Sequence, residues 1–393
     1  MAQNFNRFVV IALGLMIALT VSSCNGDRPT NNGQNSNQQA KSEKPGHWVA
    51  QYRSPESKAY ENNYLALFSY NDISVVSSKV VTVVGEVPGP KGPSEFLGVI
   101  VRTTDGGQTW VESRVEEFGF KVPRLNSVFF LNPDQGWIVG KDSKAAGVIL
   151  KTTDGCATWA ASKIGFKQIP TRIFFLDANT GWMVGASPLL GEEEGSGGPS
   201  DILSTTDGGA TWKSRRRVPV SLYDIFFLDN MNGWAGGTKG TIYHTTDGGQ
   251  TWNTQRSEVE PGTEGPSLTP EARMRFSISG FSFVDKDNGW ASVIEEDDLA
   301  GRILATTNGG STWTRQRIVD GSGVAHIFFL DQSTGWAATN QGPYIHYTQD
   351  GGHSWTSERV ELDQKTSIYR LGAASASQAW AVGGGAIFYR VTE

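Results

Sequence analysis

The sequence predicts an all-β protein, a seven-bladed β-propeller, and three observations carry that prediction. The segment Thr-Thr-Asp-Gly-Gly-Gln-Thr-Trp stands at 103–110 and again at 245–252, with near copies at Thr152–Trp159, Thr205–Trp212, Thr306–Trp313 and Thr348–Trp355. Between the copies runs a second motif, such as Arg172-Ile-Phe-Phe-Leu-Asp followed by Gly181-Trp182. It begins at Ser127, Arg172, Asp224, Gly280 and His326, and its tryptophans Trp137, Trp182, Trp234, Trp290 and Trp336 lie 45, 52, 56 and 46 positions apart. Repeats of that period build propellers or solenoids. Each unit also reads as four short β-branched and aromatic runs punctuated by Gly, Asn and Asp, with no convincing amphipathic helix. Four-strand sheets repeated radially leave only short, protected edges.

The first 46 residues stand apart. Arg7 precedes an apolar run from Phe8 to Val21, too short to span a bilayer and about right for a signal-peptide core. It ends in Val21-Ser22-Ser23-Cys24, which resembles the lipobox of bacterial lipoproteins. That resemblance implies removal of residues 1–23 and lipidation of Cys24; the competing reading is an ordinary secretory signal with a chance cysteine. Two or more acyl chains would anchor the protein stably to the extracytoplasmic face of a membrane. Residues 24–46, rich in Asn, Gly, Gln, Ser and Lys, read as a flexible tether. Residues 47–393 then form a single propeller.

Within it, a typical unit offers an apolar strand such as Ile173–Leu176, a second such as Trp182–Gly185, a third such as Ile202–Thr205, and a fourth after the turn tryptophan. The opening unit, Val80–Gly85 and Leu97–Thr103, lacks the Gly-Trp. The closing unit, Ser367–Ala373, Ala379–Gly383 and Ala386–Val391, stops before any turn motif. The missing strand lies at the other end of the chain: His47-Trp48-Val49-Ala50-Gln51-Tyr52 has the pattern of the strands that succeed the turn tryptophans elsewhere. The count is therefore seven blades, with this N-terminal strand closing the last one non-covalently.

The turn motif is the Asp-box, a BNR-like repeat. Its glycines reach positive φ at little cost, its Asp and Thr side chains can hold backbone N–H groups, and its Trp covers the hairpin. The box residues are Asp105 and Trp110, Asp154 and Trp159, Asp207 and Trp212, Asp247 and Trp252, Asn308 and Trp313, and Asp350 and Trp355. Cys156 replaces a glycine, Asn308 an aspartate and Ser354 a threonine. A turn former survives Asn308; a catalytic carboxylate does not.

Little else reads as chemistry. A formal net charge of −6 disfavours a nucleic-acid partner. Cys24 and Cys156 are the only cysteines, so a lipidated Cys24 leaves Cys156 without a disulfide partner. The five histidines are scattered, no metal site assembles, and no cofactor is expected. Asp-boxes also occur in sialidases, but the Arg-Ile-Pro motif of those enzymes is absent and no Tyr–Glu pair stands out.

The irregular connections carry more promise. Glu192–Glu194, Glu295–Asp298 and the segment Ser257–Arg275 fall on the face opposite the Asp-boxes. Arg124, Arg172, Arg215, Arg216, Arg217, Arg273 and Arg275 are expected to gather near it as a partner-docking surface; solvated loops are the plainer reading.

The lipobox, the Phe-Phe-Leu-Asp-x-x-x-Gly-Trp strands and the Thr-Thr-Asp-Gly-Gly-x-Thr-Trp turns together resemble the photosystem II stability and assembly factor family of cyanobacteria and plastids. The resemblance covers about 340 residues. It implies a non-enzymatic, seven-bladed scaffold that binds a membrane-protein assembly intermediate, a photosystem II reaction-centre precursor in a photosynthetic host, through an arginine-rich patch. The alternative is an envelope lipoprotein that binds glycan or another envelope protein, or a sialidase-like glycoside hydrolase. An arginine, tyrosine and glutamate cluster in the central channel would favour that alternative.

Overall fold

Seven antiparallel sheets of four strands each succeed one another along the chain in the computed structural model. It describes residues 46–55, 68–187, 198–256, 276–295, 302–318, 323–339, 342, 344–361 and 367–392. The proposed signal segment, Cys24 and the tether up to residue 45 lie outside these residues, as do Glu192–Glu194, Arg273, Arg275 and residues 296–298.

The first strand, β1 (His47–Arg53), is set apart in the chain from the blade it completes. Blade 1 holds β2 (Ser69–Val75), β3 (Val81–Gly89), β4 (Gly92–Thr103) and β5 (Val111–Arg114); a 3-10 turn, Val115–Phe118, leads on. Blade 2 holds β6 (Arg124–Phe130), β7 (Gly136–Lys141), β8 (Gly147–Thr152) and β9 (Ala160–Lys163). Blade 3 is β10 (Ile169–Phe175), β11 (Gly181–Ala186), β12 (Ser200–Thr205) and β13 (Lys213–Val218); blade 4 is β14 (Leu222–Phe227), β15 (Gly233–Gly237), β16 (Thr241–Thr245) and β17 (Asn253–Arg256). Blade 5 comprises β18 (Phe276–Phe283), β19 (Gly289–Glu295), β20 (Arg302–Thr306) and β21 (Thr314–Arg317). Blade 6 comprises β22 (Val324–Phe329), β23 (Gly335–Thr339), β24 (Tyr344–Thr348) and β25 (Thr356–Arg359). Blade 7 has β26 (Ile368–Ser375), β27 (Gln378–Gly383) and β28 (Ala386–Val391), and β1 pairs with β28 from His47↔Val391 to Arg53↔Ala386. The closure read from the sequence is therefore the one observed. The opening unit gains an innermost strand, β2, that the repeat pattern did not reveal because it carries Ser74-Val75 in place of Phe-Phe.

The Asp-boxes are turn formers. In the first, Thr103 Oγ1 accepts the Gly107 N–H at 2.9 Å, while the Asp105 carboxylate accepts both the N–H and the hydroxyl of Thr109 at 2.9 and 2.6 Å. These bonds draw the Asp105 pKa down to about 2, chiefly through the Thr109 hydroxyl. Asn308 takes over both roles by accepting the Thr312 N–H through Oδ1 and donating to the Thr312 hydroxyl through Nδ2. Cys156 holds φ +79 at a glycine position, and burial pushes its thiol up to about 11, as suits a packed side chain rather than a nucleophile. Each box also docks on the turn between its blade's first two strands, as in Gly155 N–H to Asp134 O at 2.9 Å and Gly309 N–H to Asp287 O at 2.9 Å.

The blades lock together through a recurring aromatic sandwich. The Trp of one blade's second strand stacks on the second Phe of the next blade's first strand, with centroids 3.5–3.6 Å apart: Trp137 on Phe175, Trp182 on Phe227, Trp234 on Phe283, Trp290 on Phe329. The box tryptophan of the receiving blade then meets that Phe edge-on, as Trp212, Trp252, Trp313 and Trp355. The closing junction differs. Blade 7 has Gly372 and Ala373 where others have Phe, and the fully buried Glu358 of β25 binds Arg390 of β28, the Trp48 indole at 2.9 Å and the Gly46 N–H at 3.0 Å. The Arg390 guanidinium lies 4.2 Å from the centroid of the Tyr347 ring.

Candidate functional site: the central channel and its face

The innermost strands of all seven blades share a bulge near their starts, after Tyr70, Leu125, Pro170, Leu222, Ile278, Val324 and Ile368. A bulge inserts one unpaired residue and re-aims its neighbour. The unpaired residue often ties its blade to the next: Asn71 donates to Leu125 O at 2.8 Å, Asn126 to Pro170 O at 2.8 Å, and Thr171 to Leu222 O at 2.7 Å. The residue after it forms a column with one member per blade: Asp72, Ser127, Arg172, Asp224, Gly280, His326 and Arg370.

This column builds an ionic cluster across the channel. Arg172 of blade 3 reaches past blade 2 to Asp72 of blade 1 at 2.5 Å, and its Nε lies 3.0 Å from Asp224 of blade 4. Arg370 of blade 7 donates to Ser279 O of blade 5 at 2.9 Å, with its Nε 3.9 Å from Asp72. Each aspartate also accepts a neighbouring blade's N–H, Val128 on Asp72 at 2.9 Å and Phe281 on Asp224 at 2.7 Å. Burial raises the pKa of Asp224 against the pull of Arg172 and Arg370. Burial, followed by the same two arginines, holds His326 well below the ordinary histidine value, so its ring is neutral at pH 7. Burial and then the charge of Arg172 lower the pKa of Arg370, whereas the two aspartates outweigh the burial of Arg172 and raise its pKa.

Two cations thus face two carboxylates, and Arg172 is held between both aspartates. Tyr223 and Tyr369 occupy bulge positions beside the column, but the column contains no glutamate. Asp72 and Asp224 are only 1% and 2% exposed. A carboxylate so enclosed and already bonded is a cross-brace; a glycosidase acid or nucleophile must reach its substrate.

The arginines expected to form one surface patch separate into three settings. Arg172 lies in the channel cluster. Arg124 is exposed at the channel-face end of β6 and lies 3.5 Å from Glu86. On β13, Arg215 bonds Ser204 Oγ at 2.7 Å, and Arg217 pairs with Asp201 at 2.8 Å while 65% of its side chain stays exposed. Arg216 turns the other way, binds the Trp252 carbonyl and covers the Tyr243 ring of blade 4. Only Arg124, Arg215 and Arg217 are therefore accessible among the described arginines of the set. The sequence reading gave no site role to Asp72, Asp224, His326 or Arg370, although Asp224 and His326 each begin a copy of the second motif. No group of three or more metal-ligating side chains assembles among the described residues, and no described helix is long and apolar enough to cross a membrane.

Seven four-stranded blades, six Asp-box turns and a channel braced by its own side chains define the class: a seven-bladed Asp-box propeller. Residues 217–357 match the family model of the photosynthesis system II assembly factor YCF48, the kind of family that the repeats resemble. Two solved structures of YCF48 share the fold. One, bound to a D1 peptide, is 18% identical with a TM-score of 0.59, the match covering 89% of this chain and 98% of that one. The other, from Cyanidioschyzon merolae, is 20% identical with a TM-score of 0.57, covering 83% and 96%. A GH74 xyloglucanase from Xanthomonas campestris is similar in fold at 11% identity and a TM-score of 0.60, with 87% of this chain spanning 53% of the enzyme. No curated protein matches the chain by sequence.

Proposed function

We propose that the chain is a non-enzymatic, lipid-anchored scaffold that holds a membrane-protein assembly intermediate on the extracytoplasmic side of its membrane. In a photosynthetic host that intermediate is a photosystem II reaction-centre precursor. The observation that carries this reading is the match of residues 217–357 to the YCF48 family, a solved member of which is bound to a D1 peptide. The channel supports the non-enzymatic part, since its carboxylates are spent on Arg172 and on neighbouring blades. The anchor is Cys24, and the accessible Arg124, Arg215 and Arg217 belong to the docking surface.

The test is affinity isolation of the lipidated protein from its native membranes, with cross-linking and mass spectrometry. Co-isolation of photosystem II core precursors is expected; recovery of envelope proteins or glycan alone overturns the reading. The Cys24→Ser variant should leave the membrane fraction. Reversing Arg215 to Glu should reduce capture with little loss of stability, whereas Arg217 and Arg216 must stay because Arg217 neutralises Asp201 and Arg216 ties blade 3 to blade 4.

A further inference from the structure

The outermost strand of every blade is a sheet edge; that of blade 7, β1, is covered by the residues after β25 through the Trp48–Val360 bridge, and most of the others are guarded by long or charged side chains. The sequences are Val-Glu-Ser-Arg in β5, Lys-Ser-Arg-Arg-Arg-Val in β13, Asn-Thr-Gln-Arg in β17, Thr-Arg-Gln-Arg in β21 and Thr-Ser-Glu-Arg in β25. Such residues keep an edge from pairing with another chain. The exception is β9, Ala160-Ala161-Ser162-Lys163, small at its first three positions and exposed at all four. Its third residue also lacks the reach seen elsewhere: Gln255 and Gln316, third in β17 and β21, bond the next blade's box carbonyls Gly309 O and Gly351 O, while Ser162 is too short to do so.

Beside this bare edge lies an open cleft of about 290 Å³ between β9 and the chain entering blade 2. Val122 and Val148 form a buried apolar floor with Phe120 packed against it, and Lys121 and Lys163 stand on the rim. The one carboxylate there, Asp142, is 3.6 Å from Lys163 and already accepts the N–H groups of Lys144 and Ala146. Lys163 remains 74% exposed despite that contact. Backbone at an open edge, an apolar floor and a basic rim together match one kind of occupant.

We infer that β9 and this cleft bind an extended peptide segment of a partner protein by strand addition, the segment alternating apolar residues directed at the floor with acidic residues directed at Lys121 and Lys163. Main-chain hydrogen bonds supply affinity in this mode and alternate side chains supply selectivity. The inference rests on the scaffold reading and gives that scaffold a peptide site away from the channel.

Hydrogen exchange of the full-length chain tests it with two blocked ten-residue peptides, one alternating valine with glutamate and one alternating valine with lysine. The valine–glutamate peptide is expected to slow exchange at 160–163 and 119–122, and the valine–lysine peptide is not. The Lys121→Glu, Lys163→Glu pair should weaken binding about tenfold. Ala161→Pro should abolish it by removing an edge N–H and imposing ring bulk; the lysine pair serves if that variant does not fold. Slowing confined to the channel-face connections overturns the inference and leaves the scaffold reading standing. Equal slowing by both peptides, or none by either, also overturns it, while isolation from native membranes judges the scaffold separately.

Discussion

Junctions between blades 2 and 6 and the junction between blades 6 and 7 solve one packing problem with different chemistry. At the former, a tryptophan, a phenylalanine and a second tryptophan stack into an apolar sandwich. At the latter, Glu358 gathers Arg390, Trp48 and the Gly46 N–H in a fully buried cluster. Aromatic contacts are forgiving, because loss of one ring leaves apolar neighbours that can relax. A buried carboxylate is demanding, because each of its partners is left uncompensated when it goes. Outside the channel, the seams from blade 2 round to blade 7 are thus four tolerant and one exacting, and the exacting one holds both ends of the propeller chain.

The largest test of this contrast is Glu358→Ala, which strands Arg390 and should cost about 3–5 kcal/mol, measured by urea unfolding. A cost below that of the aromatic variant would break the comparison. Phe227→Leu at a tolerant seam should cost about 1–2 kcal/mol, the packing and ring-pair contribution of one aromatic. Replacing the whole ion pair, Glu358→Leu with Arg390→Met, should recover about half of the Glu358→Ala loss, since no buried charge is then left alone while the Trp48 indole and the Gly46 N–H still lack their acceptor.

The smallest effect concerns the turns. Asp105 falls from 3.8 to about 2 on folding, so its contribution is present above pH 4 and is lost as pH drops towards 2. The box with Asn308 lacks that dependence. Asn308→Asp should therefore raise the melting temperature slightly at neutral pH, with the gain vanishing near pH 2 in a pH series of thermal melts.

The blade count, the turn motif and the closing strand were legible because each rests on local grammar repeated along the chain. His47–Tyr52 reads like the strand that follows a box tryptophan, and it pairs with β28 as that strand. The channel was less legible because the bulge, which no propensity signals, decides which residue faces inward. Arg172 sits directly before Ile-Phe-Phe, and position alone is compatible with a rim or with the channel; its partners Asp72 and Asp224 lie 100 and 52 residues away. Stacking the repeats by their first residue reveals the column, so the signal was present as an alignment of the chain with itself. Arg215–Arg217 misled for the opposite reason: three adjacent arginines read as one patch, but strand alternation sends Arg216 to blade 4. The bare edge of β9 was visible only by comparing it with its counterparts.

The strand that closes the ring is the first to be synthesised. His47 must wait for Val391, 344 residues later, before its partner exists. Until then β1 is an unpaired apolar strand carrying Trp48, and the last sheet has only part of its material. Completion of the circle thus waits for β28 rather than for the strength of any blade, and a chain interrupted before β28 carries an open seam where a chaperone, a protease or another copy can act.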